Sequence, residues 1–244
     1  MTDHTIKSYD EELVRLKDMI TTMGRLASEQ LDVVVLAAER SDADLAARVI
    51  EREPEADRLA HEVENLVIRI LALRQPMAID LRQVLSALKL AGELERICDH
   101  ANDLARRLIA LCGAGVQTLP SLIELAHFAI AMVNDAMNAY AQIDAAEARA
   151  VWHRDRDLDA RYTALFREFL TYMLEDPRQI SANTQMLFMA RAIERIGDRA
   201  TNIAEIVLYL VGGIPVEEER PKADATKSMM LSEPSSHLAA FRRQ

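Results

Sequence analysis

Three observations predict an all-α fold of two tandem, sequence-related three-helix bundles. Apolar residues recur at helical and not alternating spacing through nearly the whole chain. Ala, Leu, Glu, Arg and Met dominate, while only 5% of the residues are aromatic and the 244 positions include just 7 Gly and 7 Pro. That composition disfavours a β-sandwich or a Gly-rich nucleotide fold. Finally, one order of helices and one set of acidic motifs occurs twice along the chain.

Ser8-Tyr9-Asp10-Glu11 has capping-box form, in which a hydroxyl and a carboxylate satisfy orphan amide groups, and it opens a first helix running to about Arg40. Ser41-Asp42-Ala43-Asp44 starts a second helix that stops near Pro76, because proline lacks an amide donor and disfavours a helical residue before it. A third helix follows to about Cys112. The second half repeats the plan: Ser121 to Gln142, Asp144 to about Leu174, a break at Asp176-Pro177, and a last helix ending before Gly212-Gly213. The first unit therefore spans 8–112 and the second 121–213, joined by a linker at 113–120. Residues 214–244 have little periodicity and read as a mobile tail.

A formal net charge of −10 disfavours non-specific binding to a phosphate backbone, so nucleic acid is not an expected partner. Cys98 and Cys112 have neither disulfide-framework nor metal-finger spacing and read as core thiols. The amino terminus has no signal stretch, and the richest apolar run, Val33 to Ala38, is far below membrane-spanning length. A soluble, cytoplasmic protein is expected.

The duplication extends to individual residues. Glu95-Arg-Ile-Cys-Asp99 through Asp103 and Ala105 aligns with Glu194-Arg-Ile-Gly-Asp198 through Asn202 and Ala204, while Glu53 and Asp57 align with Asp155 and Asp159. Each of the four pairs Glu53/Asp57, Glu95/Asp99, Asp155/Asp159 and Glu194/Asp198 spans four positions, which on a helix places both carboxylates on one face. Like charges at that spacing destabilise a helix unless a cation or an altered pKa offsets them. The arms are also equal: Asp57 and Glu95 each lie 19 residues from Pro76, and Asp159 and Glu194 lie 18 and 17 from Pro177. A helical hairpin at each proline therefore brings two claws to one height. Four converging carboxylates, with Asp103 or Asn202 one turn on, describe an all-oxygen site for iron, manganese, magnesium, calcium or zinc.

These motifs, together with LALRQP at Leu71–Pro76, EDP at Glu175–Pro177 and ERIGDRATNIAE at Glu194–Glu205, resemble the PhoU family of phosphate-transport accessory regulators over residues 8 to 213. The resemblance implies multinuclear metal clusters, iron first, with zinc, manganese, magnesium or another divalent cation as alternatives. Glu53, Asp57, Glu95 and Asp99 would hold the first cluster, and Asp155, Asp159, Glu194 and Asp198 the second; Asp103 and Asn202 would be adjoining ligands. It also implies a non-enzymatic role in restraining phosphate-starvation signalling when phosphate is plentiful. Its expected partners are the phosphate ABC transporter ATPase PstB and the sensor histidine kinase PhoR at the inner face of the membrane, and a homodimer is the expected assembly.

The sequence departs from the family pattern at Pro54, inside the first claw, at Asp103 in place of asparagine, and at Cys98 in place of glycine. Two other function classes remain. A ferritin-like di-iron enzyme needs two Glu-x-x-His motifs, of which the chain has one, Glu124 to His127. A metal-independent helical adaptor would need none of the carboxylates. His100 is expected as a surface imidazole beside Asp99, and Met132, Met137, Met173, Met186 and Met189 as core filling.

Overall fold

The computed structural model describes the backbone of residues 2–216, 218 and 220, and side chains from Tyr9 onward. Seven α-helices make up the described chain: α1 (Thr2–Arg40), α2 (Ala43–Glu51), α3 (Glu53–Arg74), α4 (Ala78–Gly113), α5 (Pro120–Gln142), α6 (Ala145–Glu175) and α7 (Ile180–Gly212). A single 3-10 turn, Pro177–Gln179, joins α6 to α7. The first bundle is built from α1, α2 with α3, and α4; the second from α5, α6 and α7.

The turn that opens the second arm of each bundle is repeated. Ser41 and Ile143 both take left-handed backbone, with φ 52° and 56°. The Asp42 and Asp144 amides then reach back to the Ala37 and Ala139 carbonyls at 2.9 Å each. Both aspartates cap the next helix, Asp42 accepting from the Leu45 amide and Asp144 from those of Ala146 and Glu147.

Two helix boundaries differ from those expected. The first helix begins at Thr2, ahead of Ser8. The second, expected to run unbroken to Pro76, is interrupted at Arg52, which caps both α2 and α3. Pro54 explains the interruption: inside a helix it would remove a backbone bond, whereas in the first turn its missing N–H costs nothing.

The bundles lie side by side. Lys17 to the Ala141 carbonyl, Ser28 to Asn134 and Glu39 to His127 tie α1 to α5 at both ends and the middle, in antiparallel register. Glu93 with Asn202 and Arg107 with Gln185 do the same for α4 and α7. One continuous apolar core runs through both bundles, with Ile20, Val67, Leu94 and Ile97 in the first and Met132, Phe169, Ile203 and Val207 in the second. Met186 and Met189 are buried with Met132, while Met137 and Met173 are only partly covered. Among the described residues no helix is long and apolar enough to cross a membrane.

Two carboxylate clusters as candidate metal centres

In the first bundle the hairpin of α3 and α4 brings Glu53, Asp57, Glu95 and Asp99 into mutual influence. Burial, and then the charges of Asp99 and Asp57, push the Glu95 carboxyl above its usual range, partly offset by His61 and Arg96. Burial, and then Asp57 and Glu53, push up Asp99 in the same way. The patch is open: Asp57 and Asp99 are exposed, and Glu53 is turned outward onto Arg106 at 3.0 Å. Asp103 is drawn away to Arg107 at 2.9 Å. His61, whose ring nitrogen lies 3.0 Å from the Asp57 carbonyl, belongs to this patch as well.

In the second bundle the equivalent groups are inside. Asp155, Asp159 and Glu194 are buried at 2%, 4% and 5% exposure. Burial drives the Asp155 carboxyl up to about 6, opposed by the Arg220 guanidinium and reinforced by the charges of Asp159 and Asp198. Thr201 donates to Asp155 at 3.1 Å, and Arg191 pairs with Glu194 at 3.0 Å. Arg220 lies with Nε 3.0 Å from Asp155 Oδ2 and Nη1 3.3 Å from Asp198 Oδ1, while its Nη2 donates to the Asp198 carbonyl at 2.9 Å. Asn202 donates to Glu93 across the bundle interface at 2.9 Å and accepts from Arg220 at 3.5 Å.

Several of these groups carry no sequence signal as site residues. Arg220 falls in a tail without periodicity, and Glu93 gains its role only from packing: Arg96, Arg199 and Asn202 all direct donors to it. Thr201 had a legible signal, since it precedes Asn202 on the carboxylate-bearing helix.

One expectation about histidine is corrected. His100 is half-buried and not a surface imidazole; burial, Arg195 and Arg199 push it down to about 4, so it is neutral at pH 7. His127 and Glu124 lie on the outer surface, His127 pairing with Glu39 at 3.0 Å, so their motif does not point into a bundle as a di-iron site requires. Cys98 is a buried thiol that burial holds up at about 12, in keeping with a packing role.

Among the described residues, no three His, Cys, Asp or Glu side chains stand close enough together to hold a single metal ion. The donor sets still fit a hard cation in chemistry, being all oxygen and mutually repulsive, and in the second cluster a guanidinium stands where positive charge is needed.

The chain matches the PhoU domain model twice, at residues 20–108 and 122–207, once in each bundle. It is 42% identical over 226 residues to the phosphate-specific transport system accessory protein PhoU homolog of Caulobacter vibrioides, covering 92% of this chain and 98% of that protein. The corresponding homolog of Rhizobium meliloti is 40% identical over 228 residues, covering 93% and 96%. Among solved structures, PhoU from Pseudomonas aeruginosa superposes with a TM-score of 0.81 at 38% identity, over 84% of this chain and all of that one. The phosphate transport system regulatory protein PhoU from Streptococcus pneumoniae does so with a TM-score of 0.80 at 27% identity, over 86% of this chain and all of that one. With the tandem bundles and the paired acidic motifs already in place, these matches show that the chain belongs to the PhoU family.

Proposed function

We propose that this protein is a regulator, not a catalyst, that restrains the phosphate-starvation response when phosphate is plentiful. The observation that carries the reading is the double match to the PhoU domain, with an acidic claw pair at the same place in each repeat. The partners that fit this role are the phosphate transporter ATPase PstB and the kinase PhoR, met by a cytoplasmic homodimer at the inner face of the membrane. Metal ions would sit on Glu53, Asp57, Glu95 and Asp99 in one bundle and on Asp155, Asp159, Glu194 and Asp198 in the other, with Asp103 and Asn202 at their edges. A bound cation would supply the charge that the opposed helices lack and so fix each hairpin as a rigid docking surface.

Deleting the gene should leave phosphate-regulated transcription high in rich phosphate, and the wild-type gene in trans should restore repression; unchanged transcription after deletion overturns the regulatory reading. For the metal, elemental analysis of protein purified without chelators is compared with an Asp99→Asn/Asp198→Asn double variant of confirmed helical content. Metal present in the first and lost from the second supports the clusters. Metal absent from both favours the metal-independent adaptor.

A further inference from the structure

The two clusters are not equally open to an external cation. Three of the residues assigned to the second site, Asp155, Asp198 and Asn202, already engage the planar fork of Arg220, and that side chain is 17% exposed. A guanidinium presents five donors in a geometry that suits carboxylates, and a buried carboxylate without a counter-charge is strongly disfavoured. Arg220 is therefore an energetic part of the site. A second attachment lies two residues away, where Glu218 pairs with Arg149 of α6 at 2.8 Å. Among the described residues the first cluster has no counterpart from beyond its own helices: the connection that follows α4, residues 114–119, contains no basic residue, and the cations that pair there, Arg106 with Glu53 and Arg107 with Asp103, belong to α4 itself.

We propose that Arg220 is a displaceable internal counter-ion: it fastens the segment bearing Glu218 and Arg220 to α6 and α7, and a divalent cation entering the second cluster expels it. The two cations need the same carboxylate oxygens, so occupancy by one excludes the other. Loading of the second cluster then becomes release of this segment from the bundle surface, which the first cluster cannot do. The exclusion half of the inference rests on the metal reading of the family motifs; the fastening half stands on the contacts alone.

The test uses the full chain, stripped of metal, with Mn2+ as the probe, in wild type and Arg220→Gln and in Asp99→Asn backgrounds of both, which isolate the second cluster. Calorimetry should show Arg220→Gln tightening Mn2+ binding at the second cluster by tenfold or more. Cleavage by a glutamate-specific endopeptidase at Glu218 should be slow in metal-free wild type and at least fivefold faster in saturating Mn2+. In Arg220→Gln it should be fast in both conditions. Equal affinity and equal cleavage in wild type and Arg220→Gln overturn the proposal, as does protection of the wild-type segment by Mn2+. Should Arg220→Gln take up no Mn2+ at the second cluster, competition is overturned. Binding that Asp99→Asn abolishes would then show that the metal reading of the first cluster survives, whereas no binding anywhere would remove both.

Discussion

Glu53 and Asp155 hold equivalent places in the two repeats, yet their side chains are 39% and 2% exposed. The residue after each accounts for much of the difference. Pro54 forces a new helix to begin at Glu53, which becomes a first-turn carboxylate, favourably placed against the helix dipole but swung toward solvent and Arg106. Arg156 lets α6 run on, so Asp155 stays in mid-helix and faces α7. A second exchange reinforces the first. In the second bundle a Cβ on Gly197 would overlap Leu158, so the glycine allows close packing of α6 on α7. The first repeat has the reverse pair, Cys98 and Ala56, at those positions. Asn102, the counterpart of Thr201, is buried with no hydrogen-bond partner for its amide among the described residues, whereas Thr201 is bonded to Asp155. Duplication preserved the motif, and local chain geometry then made one site open and the other closed.

The largest expected effect comes from imposing the first repeat's break on the second. Arg156→Pro should destabilise the protein by about 3 kcal/mol or more, since an interior proline removes a helical bond and clashes with the preceding turn. Pro54→Ala, in a first turn, should change stability by less than about 1 kcal/mol. Urea unfolding midpoints compare them, and equal losses would break the account of why the two sites differ.

Exchanging the packing residue tests the second half of that account. Gly197→Cys should cost about 1–3 kcal/mol in the same assay, because the added atoms must displace the buried Leu158 side chain. A neutral result would mean that α6 and α7 do not need their close approach.

The pH dependence separates the clusters next. The Asp155 carboxyl is raised to about 6 in the folded protein, so between its ordinary value and 6 the folded state binds more protons than the unfolded state. Its contribution to stability is therefore fully present below the ordinary carboxylate range and is lost as pH rises through about 6. Asp155→Asn, measured by urea unfolding from pH 4.5 to 7.5, should gain on wild type as pH rises. Asp99, raised in the same direction but exposed, should give Asp99→Asn a shallower trend that 0.5 M salt suppresses. Parallel curves for wild type and Asp155→Asn would remove the claim that the second cluster is held at an electrostatic cost.

The smallest expected change is at the open rim. Arg106→Ala breaks an ion pair whose members are 57% and 39% exposed, and should alter stability by about 0–1 kcal/mol.

Helical periodicity, capping residues and the repeated Glu-x-x-x-Asp and Asp-x-x-x-Asp pairs are all local properties of the chain, which is why the order of the long helices and the duplication are legible in the sequence. The hairpins at Pro76 and Pro177 followed from the same local rule, and the side-by-side antiparallel docking of α4 on α7 did not. Which carboxylates are buried, that Glu93 binds groups from the opposite bundle, that His100 is held neutral, and that Arg220 returns from beyond α7 to sit between Asp155 and Asp198 are decided by groups far apart in the chain. Spacing along a helix specifies a face; only packing determines what that face meets, how much water it loses, and therefore which charge it must find.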